Sequence, residues 1–240
     1  RSTLFPYTTL FRSALANMEK LAVCCINRKG GVGKTTASII MAQTAAERGM
    51  RVLCIDVDDQ KNFFDAMDLV RDKYNFKVKP EIKDRLDKGD ADLDFDLFVI
   101  DCPVALDRVT EAAISFADIV LVPTLGDLFS ISNLPVVYDF AVAQGKYPAQ
   151  VAVIKNSFGT TRTVKDIEQI LSNKQYPIAG RWPRNEHIIN NIIEGRPWWS
   201  GMDARQQQPF LTFYSKVWTA WKRLLAELTQ IGRASCRERV

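Results

Sequence analysis

The sequence predicts an α/β protein: a doubly wound, mostly parallel sheet with helices on both faces. Three observations predict it. Short apolar, β-branched runs alternate with amphipathic stretches along most of the chain, the pattern of βαβ units. The first of these runs passes through a glycine-rich turn directly into a helical pattern. A chain of 240 residues, 47% hydrophobic and 25% charged, can bury one sizeable core.

In order, the strand-like runs are Leu21–Ile26, Val52–Val57, Leu97–Asp101, Ile119–Val122, Val151–Ile154 and Ile178–Trp182. Helical patterns lie between them at Thr35–Glu47, Asn62–Lys73, Asp107–Phe116, Ser130–Ala143, Thr163–Ser172 and Glu186–Glu194. The charged segment Tyr74–Asp94 is expected to hold a short strand around Phe76–Val78 and a surface helix. A last helix, Phe213–Leu228, carries Val217, Trp218, Trp221, Leu224, Leu225 and Leu228 at helical spacing. That stripe suits either a closing helix packed on the domain or a membrane-surface helix edged by Lys216, Lys222 and Arg223, and the first reading is favoured. No repeat or low-complexity linker interrupts the pattern, so one domain over residues 18–230 is expected.

The two ends read differently. A coding strand permitted for Ile231–Val240 has a reverse complement that encodes Thr3–Arg12. Opposite strands of one short DNA thus encode both termini, and that DNA resembles a sequencing adapter. Residues 1–13 and 231–240 are therefore expected to be non-native, with Met18 as the natural start. On the same grounds Arg1 and the apolar stretch before Ala14-Leu15-Ala16 are not read as a signal peptide. Removing Arg1, Arg12, Arg233, Arg237 and Arg239 from the 32 basic residues, and Glu238 from the 28 acidic ones, brings the net charge from +4 to zero. The basic balance is then no argument for a nucleic-acid partner. No apolar run reaches the length of about 18 residues that crosses a membrane. Cys24, Cys25, Cys54 and Cys102 all sit in apolar runs without metal-ligand or CxxC spacing, which predicts a structural role and a reduced cytoplasm.

The chemistry concentrates in Lys29-Gly30-Gly31-Val32-Gly33-Lys34-Thr35-Thr36. Between a strand and a helix this is a phosphate-binding P-loop. Gly31 and Gly33 let the backbone curl so that its N–H groups meet phosphate oxygens, and the helix N-terminus adds its positive end. Lys34 is expected on the β- and γ-phosphates, and Thr35 on Mg²⁺. Asp101, closing the run Phe98–Asp101, fits a water-mediated Mg²⁺ contact or a helix cap. His187, the only histidine, has no nucleophile to serve.

With Lys29 at its head the octet closely resembles the deviant Walker A loop of the ParA/MinD family of dimeric ATPases. The resemblance runs from about Leu21 to Leu228. It implies that Lys29 crosses a dimer interface to the partner's nucleotide. Asp56-Val57-Asp58-Asp59-Gln60 resembles the family's second acidic motif, with Asp58 orienting the attacking water and Asp56 in the outer magnesium shell. Asp59 stands where the family has proline. Val99-Ile100-Asp101-Cys102-Pro103 resembles Walker B, and Ala117–Thr124 the following strand. Pro183-Arg184-Asn185 resembles the segment that passes the adenine, and Asn156 the base-contacting asparagine. The short interval from Asp56 to Asp101 resembles the small partition ATPases.

What the resemblance implies is ATP and Mg²⁺ as ligands and a slow ATPase with Lys29, Lys34 and Asp58 catalytic. It also implies an ATP-bound homodimer on nonspecific DNA and a ParB-like or other activator that stimulates hydrolysis. Such a partition protein for plasmid or chromosomal DNA, or for other cargo, would be cytoplasmic and nucleoid-associated. Arg184, Arg196, Lys216, Lys222 and Arg223 are the DNA-contact candidates. The alternative is a MinD-like membrane-associated positioning ATPase, disfavoured because the last stripe is needed to close the fold. A reductase resembling the nitrogenase iron protein needs paired cysteines at the dimer axis, and a bacterial tyrosine kinase needs a tyrosine-rich tail; neither is present.

Overall fold

The computed structural model describes residues 20–90, 93–157 and 169–237. Its elements are β1 (Leu21–Cys25), α1 (Lys34–Glu47), β2 (Val52–Asp56), α2 (Asn62–Lys73), β3 (Glu81–Lys83), β4 (Leu97–Asp101), α3 (Arg108–Phe116), β5 (Ile119–Leu125), α4 (Leu128–Ala143), β6 (Val151–Asn156), β7 (Ile178–Trp182), α5 (Glu186–Ile193) and α6 (Ala204–Arg237). A 3₁₀ turn, Pro148–Gln150, leads into β6. Residues 169–173 are helical, and the remainder of the helix expected at Thr163–Ser172 lies outside the described residues.

The seven strands form one sheet in the order β3-β2-β4-β1-β5-β6-β7, every pair parallel. The expected doubly wound α/β sheet is therefore present. The central strands are buried on both faces, which is why their sequences are continuously apolar rather than alternating. Successive side chains still part to opposite faces. Leu21, Val23 and Cys25 enter a core roofed by α1, α2, α5 and α6, whereas Ala22, Cys24 and Ile26 enter one roofed by α3 and α4. Register pairs Cys25 with Asp101 and Asp56 with Asp101, so the carboxyl ends of β1, β2 and β4 come level at one edge of the sheet. Ligands of open parallel sheets bind beyond that edge.

Three differences from the expected elements have physical causes. The short strand forms at Glu81–Lys83, against β2, and not at Phe76–Val78. Phe76 instead turns its ring into the core against Tyr74 and Trp199, and Val78 N–H donates to Ala46 O at the end of α1. No α-helix occurs between Lys73 and β4 among the described residues; Lys83 there pairs with the buried Asp90. Helix α1 is buried on nearly all sides rather than amphipathic. Its polar Gln43 and Thr44 are satisfied in the core: Gln43 Oε1 accepts from Trp198 N (2.8 Å) and Thr44 Oγ1 from Trp198 Nε1 (3.1 Å).

Helix α6 begins nine residues ahead of the expected Phe213. Its Phe210, Phe213, Tyr214, Val217 and Trp221 are buried, with Trp218, Leu224 and Leu225 packed beside them. The apolar stripe thus closes the domain. The backbone of α6 continues helically through 231–237, and residues 1–19 lie outside the described residues. All four cysteines expected to be structural are buried and free.

Candidate functional site

The loop after β1 is tied to the sheet before it reaches the glycines. Asn27, fully buried, donates through Nδ2 to Pro123 O on β5 (2.7 Å) and accepts from Lys29 N at Oδ1 (2.9 Å). Gly31 (φ 71°) and Gly33 (φ 101°) both lie in the left-handed region, where a side chain would be strained. Helix α1 then starts at Lys34 with no side-chain cap and no acidic residue in its first turn. Its leading N–H groups remain directed outward, the arrangement that binds an anion. Lys34 is 8% exposed at this helix start. The cavity in front measures about 490 Å³, and Gly31, Gly33, Thr36, Asn156, Pro183, Arg184 and Asn185 line it. Residues from three distant stretches of the sequence thus meet in one concave site, joined there by Leu125, Gly126 and Asp127. Gly30 stays exposed at the tip, and Val32 is buried with its carbonyl bonded to Asn156.

Asn185 also accepts from His187 N at Oδ1 (3.0 Å), capping α5, and Arg184 pairs with Glu186 at the surface. Pro183–Asn185 therefore forms a wall of the cavity whose Asn185 side chain is already engaged.

The metal side is built from strand ends. Thr35 Oγ1 donates to Asp101 Oδ2 (2.7 Å), and Ser38 Oγ donates to Asp101 Oδ1 (3.0 Å). Burial raises Asp101 to a pKa of about 7; the two hydroxyls oppose that rise and nearby Asp56 adds to it. A cation beside Thr35 would favour the ionised carboxylate. Among the described residues no group of three His, Cys, Asp or Glu could hold a metal. A hydroxyl and a carboxylate next to a phosphate cradle nevertheless suit Mg²⁺, which keeps several waters and takes the rest of its shell from phosphates. The residues present fit a Mg²⁺-nucleotide, with Thr35 and Asp101 holding the ion and Lys34 and the loop N–H groups holding the phosphates.

Asp56 does a second job. Its Oδ1 accepts from Asp58 N (3.0 Å) and its Oδ2 from Phe63 N and Phe64 N (2.9 Å each), so it organises the loop and the start of α2. Burial raises its pKa and those N–H groups oppose the rise. Asp58 is half-buried at the turn. Its carbonyl accepts from Lys61 N (3.0 Å) and its Oδ1 from Gln60 N (3.1 Å). Lys61 adopts φ 51° and reaches Asp84 (3.1 Å). These bonds shape the turn where Asp59 takes the place of proline.

Lys29 is held beside the cavity by Asp127, which lines it. Its Nζ lies 3.0 Å from both oxygens of Asp127 and 2.9 Å from Ser130 Oγ. Asp127 caps α4 as well, accepting from Ser130 N (2.9 Å) and Ser130 Oγ (2.7 Å). Burial acts to raise the Asp127 pKa, but the Ser130 and Lys29 contacts outweigh it and the net shift is downward. Sequence reasoning missed Asn27, Ser38, Asp127 and Ser130. Asp127-x-x-Ser130 was readable as a helix start, yet nothing in the sequence announces a partner 98 residues from Lys29.

Comparison with known proteins agrees with this geometry. The family model described as an AAA domain matches residues 20–85. The septum site-determining protein MinD of Helicobacter pylori is 25% identical over 222 residues, covering 74% of this chain and 83% of that protein. The chromosome partitioning protein ParA of Myxococcus xanthus is 25% identical over 155 residues, covering 47% of this chain and 54% of that protein. Among solved structures, MinD of Pyrococcus horikoshii complexed with Mg-ADP superposes with a TM-score of 0.60 at 16% identity, covering 82% of this chain and 96% of that one; this likeness shows the fold. Loop, sheet order and relatives converge: the chain is similar to the ParA/MinD P-loop ATPases in sequence and shares their fold.

Proposed function

We propose that the chain is a ParA-type partition ATPase. On this reading ATP joins two copies face to face, the dimer binds DNA without sequence preference, and a ParB-like or other activator stimulates hydrolysis and release of plasmid, chromosome or other cargo. Residues 18–230 form its single domain, with Lys29, Lys34, Thr35, Asp56, Asp58 and Asp101 carrying the ATP cycle and Pro183–Asn185 beside the base. The observation that carries the reading is the position of Lys29. A lysine of the phosphate loop is held by Ser130 and by Asp127, which lines the cavity, while Lys34 starts the helix behind it. On this reading the second lysine, engaged by side chains at the cavity's edge, serves the partner's nucleotide.

The two lysines separate by experiment. Lys34→Ala should lose nucleotide binding, since a charge-assisted contact is worth roughly 1.5–3 kcal/mol, or about ten- to a hundredfold in affinity. Lys29→Ala should still be stabilised by Mg-ATP, by about 2.7 kcal/mol at a hundredfold excess over Kd, yet lose the ATP-dependent dimer. Thermal shift with light scattering reads both. A Lys29→Ala protein that still dimerises with ATP, or a wild type that never does, would favour a monomeric P-loop enzyme.

Membrane positioning of the MinD kind is the second reading, favoured by the name of the Helicobacter relative. Against it, Phe210, Phe213, Tyr214, Val217 and Trp221 of α6 are buried in the core. Lys216, Lys222 and Arg223 are exposed on α6, and Arg184 and Arg196 are exposed near the cavity and α5. Retention on arbitrary duplex DNA should require ATP and fall steeply with salt, as counterion release dictates. Parallel sedimentation with anionic liposomes decides between the readings, and binding to liposomes alone would reverse them.

A further inference from the structure

We propose that Asn156 is a positioning residue for the phosphate loop rather than a reader of the base, an inference that rests on the reading of this cavity as a nucleotide site. Asn156 ends β6, between Leu125 of β5 and Trp182 of β7 in the sheet register, and lines the cavity. Its Nδ2 donates to Val32 O at 2.8 Å, joining residues 124 positions apart. Val32 is wholly buried and precedes Gly33, whose φ of 101° sets the turn into α1. The fit is close: a Cβ on Gly33 would stand 2.4 Å from Asn156 Nδ2. The amide therefore occupies the space beside Gly33 and pins the carbonyl just before it. Fixing the Val32–Gly33 peptide fixes the direction of the N–H groups that follow, which meet phosphate. An asparagine that reads adenine uses its amide nitrogen and its oxygen together on the base edge. Here the nitrogen is directed at the loop, and Oδ1 faces the Ser157 hydroxyl at 3.4 Å.

The two roles differ in what a truncated ligand feels. Asn156→Ala removes the bond, and Asn156→Leu removes it while keeping similar bulk; a cooperative melt confirms that each folds. Calorimetric titration of the full chain with Mg-ATP, Mg-GTP and inorganic tripolyphosphate should show all three weakened by the same factor, roughly five- to tenfold for one lost hydrogen bond. The ATP-to-GTP ratio should stay that of the wild type. In the nucleotide-free protein, amide exchange across residues 28–35 should quicken in both variants. Unchanged tripolyphosphate affinity together with unchanged loop exchange would overturn the proposal, whatever happens to ATP. If the wild type bound neither ATP nor tripolyphosphate, the nucleotide reading would fall, and loop exchange alone would still decide whether Asn156 holds the loop.

Discussion

Gly33 and Asp118 show how far single residues depend on their surroundings. Gly33 needs both a left-handed backbone and an empty Cβ position, since Asn156 stands where a side chain would go. Gly33→Ala should leave the sheet folded and abolish nucleotide binding, which titration with Mg-ATP checks. Asp118 is held at the start of β5, where its Oδ2 accepts from Ala22 N (2.8 Å). Burial raises its pKa to about 6, against the Ala22 N–H and the nearby Lys146 ammonium. A carboxylate whose folded pKa exceeds its unfolded value binds its proton more tightly when folded. Stability therefore falls as pH rises from about 4 to about 6, and the loss is complete above that. Asp118→Asn keeps an acceptor for Ala22 and removes the titration. Relative to wild type it should gain on the order of 2 kcal/mol between about pH 4 and pH 7.5. Urea unfolding at the two pH values tests this, and an identical difference at both would refute it.

Helix starts are where elements and site meet. Asp127 caps α4 and holds Lys29 at once. Asp127→Ala should cost about 1 kcal/mol through the lost cap. The ion pair adds little, because both side chains are about a third exposed and solvent screens them. Chemical denaturation reads the cost, and a loss above about 3 kcal/mol would mean that the pair is worth far more than its exposure allows. The segment after α5 makes the opposite case. Trp198 is fully buried beneath α1, bonded to Gln43 and Thr44, with Phe210 and Trp199 against its ring. Trp198→Ala should cost about 3–5 kcal/mol, visible as a lowered midpoint in the same denaturation. Helix patterns were legible along the chain because apolar spacing sets them, and α2 spans the expected Asn62–Lys73. The burial of α1 was not legible, since Gln43 and Thr44 look polar until Trp198 arrives from residues more than 150 positions away.

At the scale of the whole molecule the question is how much of the chain takes part. The backbone of α6 runs past residue 230, and the buried residues that close the core are Phe210 to Trp221. Deleting residues 1–13 and 231–240 should leave the melting temperature and ATP binding unchanged. A fall of several degrees would show that those ends contribute to the fold. The sheet brings one nucleotide cavity, two carboxylate-bearing strand ends and the exposed lysines of α6 into a single body, and partition on DNA would need all three at once.

By itself the sequence determined the fold class, the strand-loop-helix that carries the glycine-rich loop and the acidic end of β4. These follow from local rules: β-branched runs make buried strands, two glycines make the curl, and an acidic residue ends an apolar strand. Tertiary structure alone decided where the long side chains go. Lys29 settles on Asp127 and Ser130, Asp56 turns to the start of α2, and Asn156 reaches across to Val32. Each of those partners is chosen by proximity after the strands have been ordered in the sheet. Strand order depends on packing helices over both faces, a competition among distant contacts that no local spacing in the chain records.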